Sequence, residues 1–208
     1  MNFSYWEHKH LLADIEYLIV GMGLVGLQTA ILLKERNPNA KVVVIDRFAW
    51  SMGASTRNAG FACFANMSEI LDDLESDSPE NVYGTIRKRY SGLLKLRNKF
   101  KDNLIGYQEL GSTEIFTNHN KEYLSNGIDS LQGINTILYN ELGLDRVFTY
   151  KSSNPLPNVR GSIYNKFEGQ LHTGKLYSTV YEYASQLGVK LYGGLEVKDW
   201  ISGSTVTV

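Results

Sequence analysis

Asp14 to Asp46 reads DIEYLIVGMGLVGLQTAILLKERNPNAKVVVID, and this stretch decides the fold. Asp14 to Val20 ends in a continuous apolar run with β-branched residues, the pattern of a buried strand in a parallel sheet. Gly21 stops it. From Leu24 to Arg36 the apolar positions Leu24, Leu27, Ala30, Ile31 and Leu32 follow helical spacing. Asn37 and Pro38 end that helix. Lys41 to Ile45 is a second buried strand, closed by Asp46. Strand, helix and strand together have the size of one βαβ unit, roughly 30 residues.

Between the first strand and the helix lies Gly21-Met22-Gly23-Leu24-Val25-Gly26, a G-x-G-x-x-G turn. Its context matters more than its glycines. It follows a strand, opens a helix, and has an acid, Asp46, twenty positions after Gly26 at the end of the next strand. That is the dinucleotide-binding fingerprint. Gly21 permits the tight turn, Gly23 lets the backbone approach a pyrophosphate, and Gly26 brings helix and strand close. The helix N-terminus offers unpaired N–H groups and a positive dipole end to phosphates. Asp46 can accept both ribose hydroxyl protons, and its charge repels the extra phosphate of NADP. The fingerprint alone leaves FAD and NAD both open.

Composition sets bounds around this reading. The chain has 208 residues, 43% of them hydrophobic, which is an ordinary globular composition for one large domain or parts of two. Lys plus Arg is 21 against Asp plus Glu at 22, so no net field favours nucleic acid or an anionic membrane. A single cysteine excludes an internal disulfide framework and any cysteine-cluster zinc site, and no metal is expected. Glu7, His8, Lys9 and His10 precede any apolar run, which is not the pattern of a secretory signal, so the protein reads as cytoplasmic. Tyr17 to Leu33 carries no charge, but its spaced glycines fit strand-turn-helix better than a membrane span.

Further along, Ser51 to Gly60 is a small polar loop leading into a helix that Ser55 or Thr56 can cap. Pro79 to Lys101 and Glu122 to Leu142 read as helices, the second weakened by Gly127 and Gly133. Ser112 to Thr117 and Ser162 to Lys166 read as strands, and Ser152 to Gly161 as a loop. Lys175 to Leu187 is a helix ended by Gly188. Val189 to Tyr192 and Glu196 to Ile201 read as strands, and Thr205 to Val208 as the start of another.

The run Gly53-Ala54-Ser55-Thr56-Arg57-Asn58-Ala59-Gly60-Phe61 resembles the second flavin-contacting loop of the D-amino-acid oxidase and glycine oxidase (DAO) family. Gly169-Gln170-Leu171-His172-Thr173-Gly174-Lys175-Leu176 resembles the family's crossing back into its flavin domain, although Thr173 stands where members usually have Pro. The resemblance implies an α/β fold: a Rossmann-like FAD-binding domain with a parallel sheet and β-meander, plus part of an α+β substrate (cap) domain. It implies FAD-binding segments at 1–78 and 169–208 around a cap segment at 79–168.

By the same resemblance, Leu24 and Val25 lie at the pyrophosphate turn, and Asp46 and Arg47 flank the adenosine. Ser55 and Thr56 give hydroxyl and N–H groups to the phosphates. Ala59, Gly60 and Phe61 run beside the isoalloxazine ring, and the backbone of Val197 meets the adenine. Arg57 and Asn58 reach the flavin or its phosphates, or pin the loop to the cap. Cys63 reads as a small buried thiol, and His172 either touches substrate or makes a structural hydrogen bond. No catalytic side chain can be named.

Family members run to nearly twice this length, so the fold is expected to be incomplete: a fragment of a longer polypeptide, or a chain completed by a partner. The expected activity is FAD-dependent oxidation of a small-molecule amine or amino acid at its C–N bond, with an unidentified electron acceptor. The alternatives are an NAD-dependent dehydrogenase and a non-catalytic nucleotide-binding subunit.

Overall fold

A computed structural model describes residues 3–152 and 155–203. In chain order the strands and main helices are β1 (Tyr17–Val20), α1 (Leu24–Arg36), β2 (Val42–Asp46), β3 (Phe61–Ala62), α2 (Met67–Ser76), α3 (Pro79–Phe100), α4 (Asp102–Ile105), β4 (Ser112–Phe116), α5 (Lys121–Leu142), β5 (Phe148–Lys151), β6 (Gly161–Asn165), β7 (Gly169–Gln170), α6 (Thr173–Gln186) and β8 (Lys190–Gly193). A π-helical turn at Glu7–Leu12 precedes β1, and a single 3-10 turn covers Ala54–Thr56. The chain forms two compact units, residues 1–59 with 173–208, and residues 60–172.

The first unit is the βαβ unit extended by one more helix and strand. β1 pairs parallel with β2, Tyr17 opposite Val42, and β2 pairs parallel with β8, Val43 opposite Lys190. The continuous apolar run makes β2 the central strand: Val42, Val43 and Val44 are fully buried. Each such side chain contributes about 1.5–3 kcal/mol by leaving water. Leu27, Ala30 and Ile31 of α1 and Val180 and Ala184 of α6 complete this core. β1 departs from the expectation of a buried strand. It begins three residues later than Asp14 and has β2 as its one neighbour among the described residues, so Val20 is 63% exposed.

The second unit packs α2, α3 and α5 against the antiparallel sheet β4-β6-β5. Phe64, Met67, Ile70, Val82, Ile86, Phe116, Leu138 and Ile163 form its core. β3 and β7 make a separate two-stranded ladder, Phe61 opposite Gln170.

The expectation of a strand at Glu196–Ile201 is corrected as far as Trp200, and Ile201 makes a single bridge. No ladder forms over Leu195–Trp200. Gly194, at φ +78°, turns the chain so that its amide and that of Leu195 bond to the carbonyls of Phe48 and Asp46 instead. The strand expected at Thr205–Val208 lies outside the described residues. Among the described residues no helix is long and apolar enough to cross a membrane.

Candidate functional site: a glycine cradle in the first unit

The glycine turn sits where β1 hands over to α1. Gly21 has φ +103°, a conformation that costs an L side chain dearly, and its amide bonds to Ile45 O at 2.8 Å. A Cβ on Gly26 would lie 2.0 Å from the carbonyl oxygen of Gly21, so helix and turn touch there as backbone on backbone. The helix has no side-chain cap of its own at Gly23, and the first amides of a helix lack intrahelical acceptors.

Asp46 lies beneath this turn at the end of β2. One carboxylate oxygen accepts the Met22 amide at 2.8 Å, and the other accepts the Phe48 amide at 3.0 Å. A carboxylate offers about four lone-pair sites, so each oxygen keeps room for a further donor. Met22 itself is buried, 1% exposed, and its carbonyl accepts the Tyr177 hydroxyl of α6 at 3.2 Å.

The 3-10 turn at Ala54–Thr56 comes up against the helix end. Ser55 Oγ accepts the Leu24 amide at 2.9 Å, and a Cβ on Gly23 would meet that oxygen at 2.9 Å. A hydroxyl oxygen therefore stands where α1 presents its first N–H groups, the place a helix offers to an anionic oxygen. Thr56 Oγ1 turns inward and donates to Ser51 O at 2.9 Å. Asn58 also serves its own loop: Nδ2 donates to Ala54 O at 2.9 Å, and Oδ1 accepts the Thr173 hydroxyl at 3.1 Å. Thr173, the departure from the usual Pro, is thus the first residue of α6 and a hook for this loop. Gly23, Asp46, Arg47, Phe48 and the Ser51–Ser55 run line a cavity of about 260 Å³.

The other residues named from sequence fall around this centre or in the second unit. Leu24 and Gly26 are half-buried, and Val25 is 83% exposed at the helix start. Arg47 is exposed, its guanidinium carbon 4.8 Å from the Phe48 ring centroid. Arg57 and Ala59 are exposed. Val197 is half-buried in the extended segment that Gly194 and Leu195 bind to Asp46 and Phe48. Gly60 and Phe61 belong to the second unit, where Gly60 O accepts the Leu171 amide at 2.8 Å and Phe61 is 77% exposed.

Two residues went unread in the sequence. Tyr177 sits on an expected helix, but nothing local marks its partner 155 positions away. Glu168, 1% exposed, accepts the amides of Phe64 at 2.7 Å and Ala65 at 2.9 Å and the Ser112 hydroxyl. Cys63 lies in its field. Cys63 is exposed, which corrects the expectation of a buried thiol, yet loss of solvent and the adjoining Glu168 carboxylate push the thiol up to about 12, so it is a poor nucleophile. A larger open groove, about 900 Å³ along α3 in the second unit, contains none of the motif residues.

The first unit is a Rossmann-like βαβ unit with a glycine turn between its first strand and helix. The model of the DAO family, described as FAD dependent oxidoreductase, matches residues 16–208, and the chain belongs to that family. No curated protein sequence matches it. Among solved structures it is similar to glycine oxidase from Bacillus cereus ATCC 14579, at 21% identity and a TM-score of 0.58 over 92% of this chain and 49% of that one. It is similar to L-amino acid deaminase from Proteus myxofaciens in complex with anthranilate, at 17% identity and a TM-score of 0.65 over 92% and 41%. It is also similar to L-alpha-glycerophosphate oxidase from Mycoplasma pneumoniae with FAD bound, at 17% identity and a TM-score of 0.61 over 88% and 46%. The chain spans about half the length of these proteins.

Proposed function

We propose that this chain carries the FAD cradle of an oxidoreductase that acts on an amine or an amino acid. On this reading, residues 1–59 and 173–208 are the nucleotide-binding unit, and residues 60–172 are part of the substrate domain. Ala62 to Ser76 go with the latter, because Phe64, Met67 and Ile70 are packed in its core.

The observation that carries the proposal is the Asp46 carboxylate fixed beneath a glycine turn whose helix end already holds a hydroxyl oxygen, that of Ser55. This donor and acceptor set fits a dinucleotide. Gly21, Gly23 and Gly26 keep side chains out of the way. The Val25 amide and the Ser55 hydroxyl, which already takes the Leu24 amide, face the pyrophosphate. Asp46 accepts from the ribose, while Arg47 and Val197 flank the adenine. Thr56, Arg57 and Asn58 hold the second loop in shape, and Ala59, Gly60 and Phe61 lead from it toward the flavin ring.

Bound there, FAD supplies the acceptor for a hydride from the substrate carbon bearing nitrogen. The amine nitrogen loses a proton in the same overall oxidation, and the imine product hydrolyses in water. The chain's own contribution is binding and orientation, and a neutral amine needs no dedicated base. The test is anaerobic mixing of the FAD-loaded protein with single amines, amino acids and glycerol 3-phosphate, followed at the visible flavin band. Bleaching by an amine or amino acid is the expected result. Bleaching by glycerol 3-phosphate alone moves the substrate to an alcohol, and bleaching by none of them overturns the substrate class.

A further inference from the structure

The two loops of the cradle are far apart in sequence, and one helix outside both of them meets each. Tyr177 lies in the first turn and a half of α6, the helix that packs against α1 and the 3-10 turn at Ala54–Thr56. Its hydroxyl donates to Met22 O at 3.2 Å, inside the glycine turn. The backbone amide of Ser51, at the start of the second loop, lies near this oxygen and favours its charged form. Burial pushes the hydroxyl above the usual tyrosine range, with nearby Tyr181 and Asp46 adding to the effect, so the group stays protonated and able to donate.

Met22 is thereby held at both ends: its amide on Asp46 and its carbonyl on Tyr177. In the second loop the Ser51 carbonyl accepts Thr56 Oγ1 at 2.9 Å. Tyr177 thus ties the turn that presents the α1 amides to α6, the helix packed against the loop that presents Ser55. Thr173, at the start of α6, reaches Asn58 at the loop's far end.

We propose that Tyr177 is a positioning residue for the nucleotide: its hydroxyl sets the distance between the glycine turn and the Ser51–Thr56 loop, so that both meet one pyrophosphate. The inference rests on the nucleotide-binding reading above. It concerns the phosphate and ribose end alone, so ADP, which lacks the flavin ring, must feel the change as FAD does.

The test compares the whole chain with Tyr177→Phe and Tyr183→Phe. Tyr183 lies on the same helix, with its hydroxyl 3.1 Å from Glu35, and serves as the control. FAD and ADP affinities are measured for all three, and amide hydrogen exchange is followed without ligand. Loss of one well-placed hydroxyl that leaves the Met22 carbonyl unmatched corresponds to roughly five- to tenfold weaker binding. The expected result is that loss for both ligands in Tyr177→Phe, with faster exchange across residues 51–56 and no change in Tyr183→Phe.

Equal affinities in wild type and Tyr177→Phe overturn the inference and leave the FAD reading standing. A loss for FAD with none for ADP also overturns it, because the effect then lies at the flavin end. Wild-type binding of ADP without FAD overturns the flavin reading alone, and Tyr177 is then judged on ADP. Wild type that binds neither overturns both.

Discussion

In residues 1–59 with 173–208, the recognisable segment is held largely by backbone. Gly21, Gly23 and Gly26 let chain lie against chain, and Asp46 and Ser55 each take an amide from the turn. In residues 60–172, the segment that follows the second loop is held by carboxylates reaching in from distant strands and loops. Glu168 takes the amides of Phe64 and Ala65, and Glu114 on β4 takes those of Met67, at 3.0 Å, and Ser68, at 3.3 Å, along with the Ser68 hydroxyl. Asn66 caps α2 by accepting the Glu69 amide at 2.8 Å. The difference is one of use: in the first unit Asp46 and Ser55 line a cavity, whereas in the second Glu168 and Glu114 are committed to its own backbone.

The most damaging way to probe this comparison is Gly26→Ala. Its Cβ would press on backbone, not on a flexible side chain, so the cost is about 3 kcal/mol or more, read by chemical denaturation. Next is Asp46→Ala, where the expected outcome is an FAD affinity about 100-fold lower in a titration, with less loss of stability than in Gly26→Ala. Glu168→Ala should do the reverse. Two buried amides and the half-buried Ser112 hydroxyl lose their acceptor, stability falls by about 2 kcal/mol, and ADP binding persists. Equal effects of Asp46→Ala and Glu168→Ala on ligand affinity would erase the distinction between the two units.

The smallest effect concerns Cys63. With its thiol pushed up to about 12, the neutral form dominates at neutral pH. Alkylation should keep accelerating through pH 10, where an ordinary thiol has levelled off. The sign for stability follows from the same shift. The folded state holds this proton more tightly than the unfolded chain, so the contribution is present below pH 9 and is lost as pH rises toward 12. A denaturation series from pH 8 to 11, compared with Cys63→Ala, reads it.

The legible parts of the sequence were those in which local spacing carries the structure. The βαβ unit from β1 to β2, the glycine turn and Asp46 were all readable, because helical and strand periods and a required φ leave local marks. The length of β1 was less so: Asp14, at φ +56°, breaks the chain before the strand begins. The helix expected after the Ser51–Gly60 loop, with Ser55 or Thr56 as its cap, begins instead at Met67: Asn66 caps α2, with Glu69 three positions on and apolar Met67, Ile70, Leu71 and Leu74 at helical spacing, while Ser55 takes an amide of α1. The Glu196–Ile201 alternation misled because strand pattern says nothing about which backbone is near, and here Asp46 and Phe48 took the amides of Gly194 and Leu195. Glu168 and Tyr177 could not be found in this way. Their partners lie 104 and 155 positions off, and no local pattern encodes a contact of that span.

The central claim is that the glycine cradle of the first unit binds FAD. Titration of FAD into the whole chain, followed by quenching of flavin fluorescence with ADP as competitor, tests it most directly. The account predicts saturable binding of one FAD per chain that ADP displaces and Asp46→Ala weakens. Saturable binding of NAD with no response to FAD would contradict it.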